Sequence, residues 1–126
     1  MTTIEFSALS HNAAKKNFEI VELTNIDSLL GNALDILPKL EKKYDFIFID
    51  GMKRRTKDFL ELCIPKLSKC GIIVIDDVIK FREKKMENLY NFLEEQKIPY
   101  EVKHIDADDG IMIIEEKNIA PIFRTK

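Results

Sequence analysis

Tyr44-Asp45-Phe46-Ile47-Phe48-Ile49-Asp50-Gly51 is the stretch whose reading decides the fold class. Its apolar residues fall on both odd and even positions. A strand of that kind is expected to be buried on both faces, as in a parallel sheet with helices on either side. It closes on an acid and a glycine, at the end of the strand where open α/β sheets bind their ligands. Gly71-Ile72-Ile73-Val74-Ile75-Asp76-Asp77-Val78 repeats the pattern. Two such strands with a helical segment between them predict a parallel pair joined by a right-handed crossover.

Working outward, the hydrophobic period alternates between about 2 and about 3.6 along the chain. Thr2 to Phe6 reads as a short strand. A helix is expected from Ala8 to Leu23, with Ala14, Phe18 and Val21 at helical spacing and Ser7 or Ser10 as its cap. Ile26 to Leu30 reads as a strand stopped by Gly31-Asn32, and Ala33 to Lys42 as a helix. After the polar segment Gly51 to Lys57, a helix is expected over Asp58 to Leu67, its last turn distorted by Pro65. Ile72 to Asp76 is the next strand. Phe81 to Glu95 is an amphipathic helix whose Met86, Leu89, Tyr90 and Leu93 belong to the core. Tyr100 to Ile105 and Ile111 to Glu115 flank a short Asp- and Gly-containing link, so they should form an antiparallel hairpin. The order is βαβαβαβαββ, a single α/β domain over residues 1–126.

Composition narrows the function classes. The chain has 126 residues and four glycines, Gly31, Gly51, Gly71 and Gly110, where average usage of roughly 7% would supply about nine. The closest are twenty positions apart, which excludes a G-x-G-x-x-G dinucleotide turn and a G-x-x-x-x-G-K-[ST] phosphate loop. A net charge of −2 gives no global attraction to nucleic acid or to anionic membrane. No apolar run approaches the roughly 20 residues of a membrane span. The N-terminus lacks the basic flank and apolar stretch of a secretion signal. Cys63 and Cys70 make neither a disulfide framework nor a four-ligand zinc set. The expectation is a reduced, cytoplasmic protein.

The strand ends carry acids: Glu5 after the first strand, Asp50 after the third, Asp76 and Asp77 after the fourth. If the last two strands are parallel neighbours, they lie roughly 4.8 Å apart and these aspartates converge. Three carboxylates that close stay ionised only if a cation relieves them, and hard oxygen ligands suit Mg²⁺ or Ca²⁺. The alternative is that each acid caps the helix that follows it and remains solvated. Pattern leaves both readings open. Lys53 stands three residues beyond Asp50, either as a general base near the cluster or as part of a solvated basic loop with Arg54, Arg55 and Lys57. His11, expected on a helix exterior, and His104, in a late strand, have no ligand-spaced partners and read as structural.

With these residues assembled, the chain resembles the later two-thirds of a class I S-adenosylmethionine-dependent O-methyltransferase of the catechol/caffeoyl-CoA type. The matching stretches are Thr3-Ile4-Glu5, Gly31-Asn32-Ala33-Leu34, Tyr44 to Lys53, Gly71 to Val78 and the closing Asp109-Gly110. The resemblance implies a Rossmann-like three-layer fold with a C-terminal antiparallel hairpin. It implies that Glu5 holds the ribose hydroxyls of S-adenosylmethionine, that Asn32 and Ala33 line its adenine, and that Asp50 serves both cofactor and metal. Asp50, Asp76 and Asp77 would hold a divalent cation such as Mg²⁺, and Lys53 falls at the family's catalytic lysine. The acceptor implied is a small-molecule hydroxyl.

Departures accompany the match. Asp77 replaces the usual asparagine, and Thr56 and Phe59 stand where tyrosines are common. The family's first strand, glycine-rich turn and helix have no counterpart after Met1. An incomplete N-terminus is therefore expected, with a homodimer or a partner chain supplying the strand, or an inactive remnant. A non-catalytic module that shares strand edges is the competing class. A phosphoacceptor receiver also clusters aspartates and a lysine, but there the acidic pair precedes the phosphoacceptor strand, the reverse of the order here.

Overall fold

The computed structural model describes residues 1–123. The chain resolves into two compact units, Met1–Leu40 and a second from Glu41 onward.

In the first unit, β1 (Thr2–Glu5) and β2 (Asp27–Leu30) pair in parallel, with Glu5 opposite Leu30. Between them runs α1 (Ala8–Ile20), opened by Ser7, whose side chain accepts the Ser10 N–H. It stops short of the expected Leu23: the Val21 N–H turns back to Asn17, and Glu22 takes a left-handed φ of 57°. α2 (Ala33–Ile36) is shorter than expected and passes into a 3₁₀ turn over Leu37–Lys39, because Pro38 has no N–H to continue the ladder. His11 is not on the exterior. It is buried to 7% exposure, with Nδ1 3.1 Å from Ser28 Oγ. His11 lies one helical turn from Ala14 and two from Phe18, both half-buried, and so shares their inward face, whereas Val21 of the expected stripe is exposed.

The second unit is a four-stranded sheet in the order β3-β4-β6-β5. β3 (Tyr44–Ile49) and β4 (Leu67–Ile75) are parallel, β6 (Gly110–Glu115) is antiparallel to β4, and β5 (Glu101–His104) is antiparallel to β6. The hairpin is the one expected from the sequence. α3 (Thr56–Cys63) begins two residues early and ends before a 3₁₀ turn at Ile64–Lys66, where Pro65 breaks it. β4 starts at Leu67, five residues before its expected start. α4 covers only Glu87–Glu95, because the N–H groups of Lys84, Lys85 and Met86 all fold back onto the Phe81 carbonyl in a tight series of turns. α5 (Glu116–Phe123) was not expected.

The core of this unit holds Leu60, Leu67, Ile73, Ile75, Met86, Leu89, Leu93, Met112, Ile114 and Ile119, all fully buried. Each such side chain contributes about 1.5–3 kcal/mol relative to exposure, enough to fix the strands that carry the site. One expectation fails here. β3 is the outer strand, and Phe46 and Phe48, on one face of it, are 56% and 51% exposed, while Ile49 on the other is buried. An apolar run does not distinguish a central strand from an edge one. No helix among the described residues is long and apolar enough to cross a membrane.

Candidate functional site

The register of β3 and β4 places the acidic residues. Ile49 pairs with Ile75, and the Asp76 N–H donates to the Ile49 carbonyl at 3.1 Å, so Asp50 and Asp76 leave the sheet side by side. Asp77 follows with a left-handed φ of 57°. One carboxylate oxygen from each of Asp50, Asp76 and Asp77 lies within 4.8 Å of the others. The expected convergence is therefore present.

Lys53 sits among them. Its Nζ is 2.8 Å from Asp50 Oδ1 and 3.0 Å from Asp77 Oδ2. The lysine is held by a 3₁₀ turn over Lys53–Arg55, closed where the buried Thr56 hydroxyl donates to the Lys53 carbonyl at 2.9 Å. Ahead of the turn, Gly51 lies flat against Phe59. A Cβ there would come within 2.7 Å of the ring, so any larger residue would have to push the Phe59 side chain aside. Burial alone would lower the Lys53 pKa, but the hydrogen bonds and charges of Asp50 and Asp77 outweigh it and raise it above the ordinary lysine range. As arranged, Lys53 is a charged counter-ion rather than a free base. Its basic neighbours are engaged elsewhere, Arg55 with Asp58 and Lys57 with Glu61.

The donor chemistry fits a hard divalent cation: three carboxylates, one after β3 and two consecutive ones after β4, offering oxygen only. Asp109, read from the sequence as part of the turn and of the closing Asp109-Gly110 match but given no role, touches this region as well. Its carboxylate accepts the N–H groups of Ile79, Lys80 and Gly110. Burial pushes its pKa up, but those three donors, Gly110 first, and a contact with Asp77 bring it below the ordinary aspartate value. The signal available in sequence was the Asp-Gly pair itself; the partner segment thirty residues away was not readable.

Glu5, Asn32 and Ala33 lie together in the first unit. The Gly31 N–H donates to the Glu5 carbonyl at 2.9 Å, which joins the two strand ends. Glu5 Oε1 accepts the Ser7 N–H at 3.1 Å, and Asn32 Oδ1 accepts the Leu34 N–H at 2.9 Å as the cap of α2. Both side chains thus have local structural partners. His104 is exposed on β5.

A family model described as a methyltransferase domain matches residues 3–78, more than half of the chain. Among solved structures, the chain is similar to a Staphylococcus aureus protein assigned as a caffeoyl-CoA O-methyltransferase, at 27% identity and a TM-score of 0.74, covering 90% of this chain and 63% of that one. It is also similar to the O-methyltransferase from Bacillus cereus in complex with SAH, at 21% identity and a TM-score of 0.74, covering 90% of this chain and 61% of that one. A Podospora anserina methyltransferase bound to SAH matches at 20% identity and a TM-score of 0.78, covering 90% of this chain and 58% of that one. The chain thus spans about 60% of the length of these structures.

Proposed function

The chain belongs to the methyltransferase-domain family, and on that premise we propose that it takes part in moving the methyl group of S-adenosylmethionine to a hydroxyl oxygen of a small molecule, with help from a divalent cation such as Mg²⁺. The observation that carries the reading is the set of three convergent carboxylates with a lysine ammonium held between two of them. S-adenosylmethionine supplies an electrophilic methyl group on a sulfonium, and a bound cation would lower the pKa of the acceptor hydroxyl and orient it. The remaining work falls to the side chains.

Asp50, Asp76 and Asp77 are the ligands we assign to the cation. Asp50 is also assigned to the cofactor. Lys53 Nζ donates its hydrogen bonds to Asp50 and Asp77, and so keeps its own proton. To accept the hydroxyl proton it must first release its own to solvent, which becomes easier once those carboxylates are turned to another positive charge. The neutral amine then takes the hydroxyl proton as the oxygen attacks the methyl group. In the first unit, Glu5 is assigned to the ribose hydroxyls, with Asn32 and Ala33 against the adenine. The pairing of an acid after a strand with ribose hydroxyls follows the logic of dinucleotide-binding sheets.

Calorimetric titration with S-adenosylmethionine tests the cofactor half. Binding by the chain that falls about tenfold or more in Glu5→Gln supports it. An unchanged affinity in that variant would remove Glu5 from the site, and no binding by the unaltered chain would remove autonomous catalysis.

A second reading is favoured by one observation, the exposure of Phe46 and Phe48 on the outer strand of the sheet. Open apolar edges invite pairing with another strand. On this reading a second copy or a partner chain adds a strand at β3. Light-scattering mass at rising concentration should then exceed that of one chain, and Phe48→Lys should return it to monomer. A clean monomer throughout would dismiss strand sharing between copies.

A further inference from the structure

We propose that Asp109 is the positioning residue of the acidic cluster: by holding the backbone just after Asp77, it keeps that aspartate in the left-handed conformation that brings its carboxylate to those of Asp50 and Asp76. Its functional meaning rests on the cation reading above.

Asp77 needs holding. A non-glycine residue at a φ of 57° sits in the sterically disfavoured left-handed region, which aspartate tolerates better than most residues but does not favour. Left to itself, a turn with such a residue relaxes toward the ordinary right-handed or extended regions, and the carboxylate swings away. Here the segment that follows is tied from both sides. Asp109 Oδ1 accepts the Ile79 N–H at 3.2 Å and the Lys80 N–H at 3.3 Å. The Gly110 carbonyl accepts the Val78 N–H at 3.2 Å, and the Val78 carbonyl accepts the Tyr90 hydroxyl at 2.7 Å. Three consecutive peptide groups after Asp77 are therefore fixed.

The clasp is itself rigid. Asp106 Oδ1 accepts the N–H groups of Asp108 and Asp109, both at 2.8 Å, and the Asp109 carbonyl accepts those of Ile105 and Asp106. Gly110 closes it by contact. A Cβ at that position would collide with the Lys103 carbonyl oxygen and approach Ile79 Cδ1 to 2.8 Å. Asp109 is not one of the three clustered carboxylates. It acts on the site through Asp77.

The test compares Asp109→Ala and Asp109→Asn in the full chain by two readouts. One is amide hydrogen exchange at Val78, Ile79 and Lys80 without metal; the other is Mn²⁺ affinity by electron paramagnetic resonance. Asp109→Ala should speed exchange at Ile79 and Lys80 by tenfold or more, leave the Ile73 and Ile75 amides protected, and weaken Mn²⁺ about 10- to 100-fold, as loss of an outer-shell partner does. Asp109→Asn keeps the accepting oxygen and should restore both readouts to within about threefold. Unchanged exchange and affinity in the alanine variant would overturn the proposal. So would an asparagine variant as impaired as alanine, which would make the charge, not the position, the cause. If the alanine variant does not fold, Asp109→Glu, which moves the oxygens by one methylene, should give an intermediate Mn²⁺ affinity; wild-type affinity there would overturn it. Failure of the unaltered chain to take up Mn²⁺ would instead reject the cation reading. The exchange data would then decide alone whether Asp109 holds the Asp77 segment.

Discussion

At the scale of single residues, Lys53 sets the electrostatics, because its ammonium relieves two of the three carboxylates that face one another. An entering cation must compete with it. Lys53→Met should therefore tighten Mn²⁺ binding several-fold while lowering methyl transfer by about 10²- to 10⁴-fold, the usual share of a positioned acid–base group. A purely structural lysine would lose both together. The two cysteines make a second test. Burial pushes the Cys63 thiol up to about 11, while Cys70 is exposed. Iodoacetamide at pH 8 should label Cys70 and spare Cys63 until the chain unfolds, checked by mass spectrometry. The raised value also fixes a direction. The neutral buried thiol favours the folded state below the unfolded value of roughly 8.5, and that contribution is lost as pH rises through about 11. The aspartates and Lys53 were legible in the sequence because they sit at fixed steps from two clear strands. The left-handed turn at Asp77 and its clasp by Asp109 were not, because they depend on contacts between distant segments.

At the scale of elements, the strands were the most legible and the helices the least. Strand identity follows from short dense apolar runs, and the residues between Tyr44 and Asp50 specify one directly. Helix ends depend on Pro38, Pro65 and on local carbonyl sharing at Phe81, which shift boundaries by several residues. The irregularity in β4 was not foreseen either: its register against β3 slips between Tyr44 and Phe46, near Cys70 at a φ of 66°. A left-handed non-glycine residue costs about 1–2 kcal/mol. At the hairpin the constraint runs the other way. Gly110→Ala has no room beside the Lys103 carbonyl, and should separate β5 from β6, lowering stability by about 3 kcal/mol or more on a urea curve. A shift of less than about 1 kcal/mol would mean that the hairpin backbone yields easily.

At the scale of the whole molecule, the α/β class, the parallel β3-β4 pair and the closing hairpin were readable, as was the missing strand beside β3, whereas the exposure of one face of β3 was not. Periodicity reports which residues are apolar, and the sheet order decides which of them are covered. Phe46 and Phe48 look as buried in sequence as Ile73 and Ile75 do, yet only the isoleucines have strands on both sides. Family membership rests on residues 3–78. The most direct measurement is transfer of a labelled methyl group from S-adenosylmethionine to a small aromatic diol, with Mg²⁺ and with a chelator. Transfer that requires Mg²⁺, and that falls by about 10²-fold or more in both Asp50→Asn and Lys53→Met, is the expected result. Transfer indifferent to the chelator and to both substitutions, or none at all with S-adenosylmethionine bound, would contradict the assignment of Asp50, Asp76, Asp77 and Lys53 as a cation-assisted site.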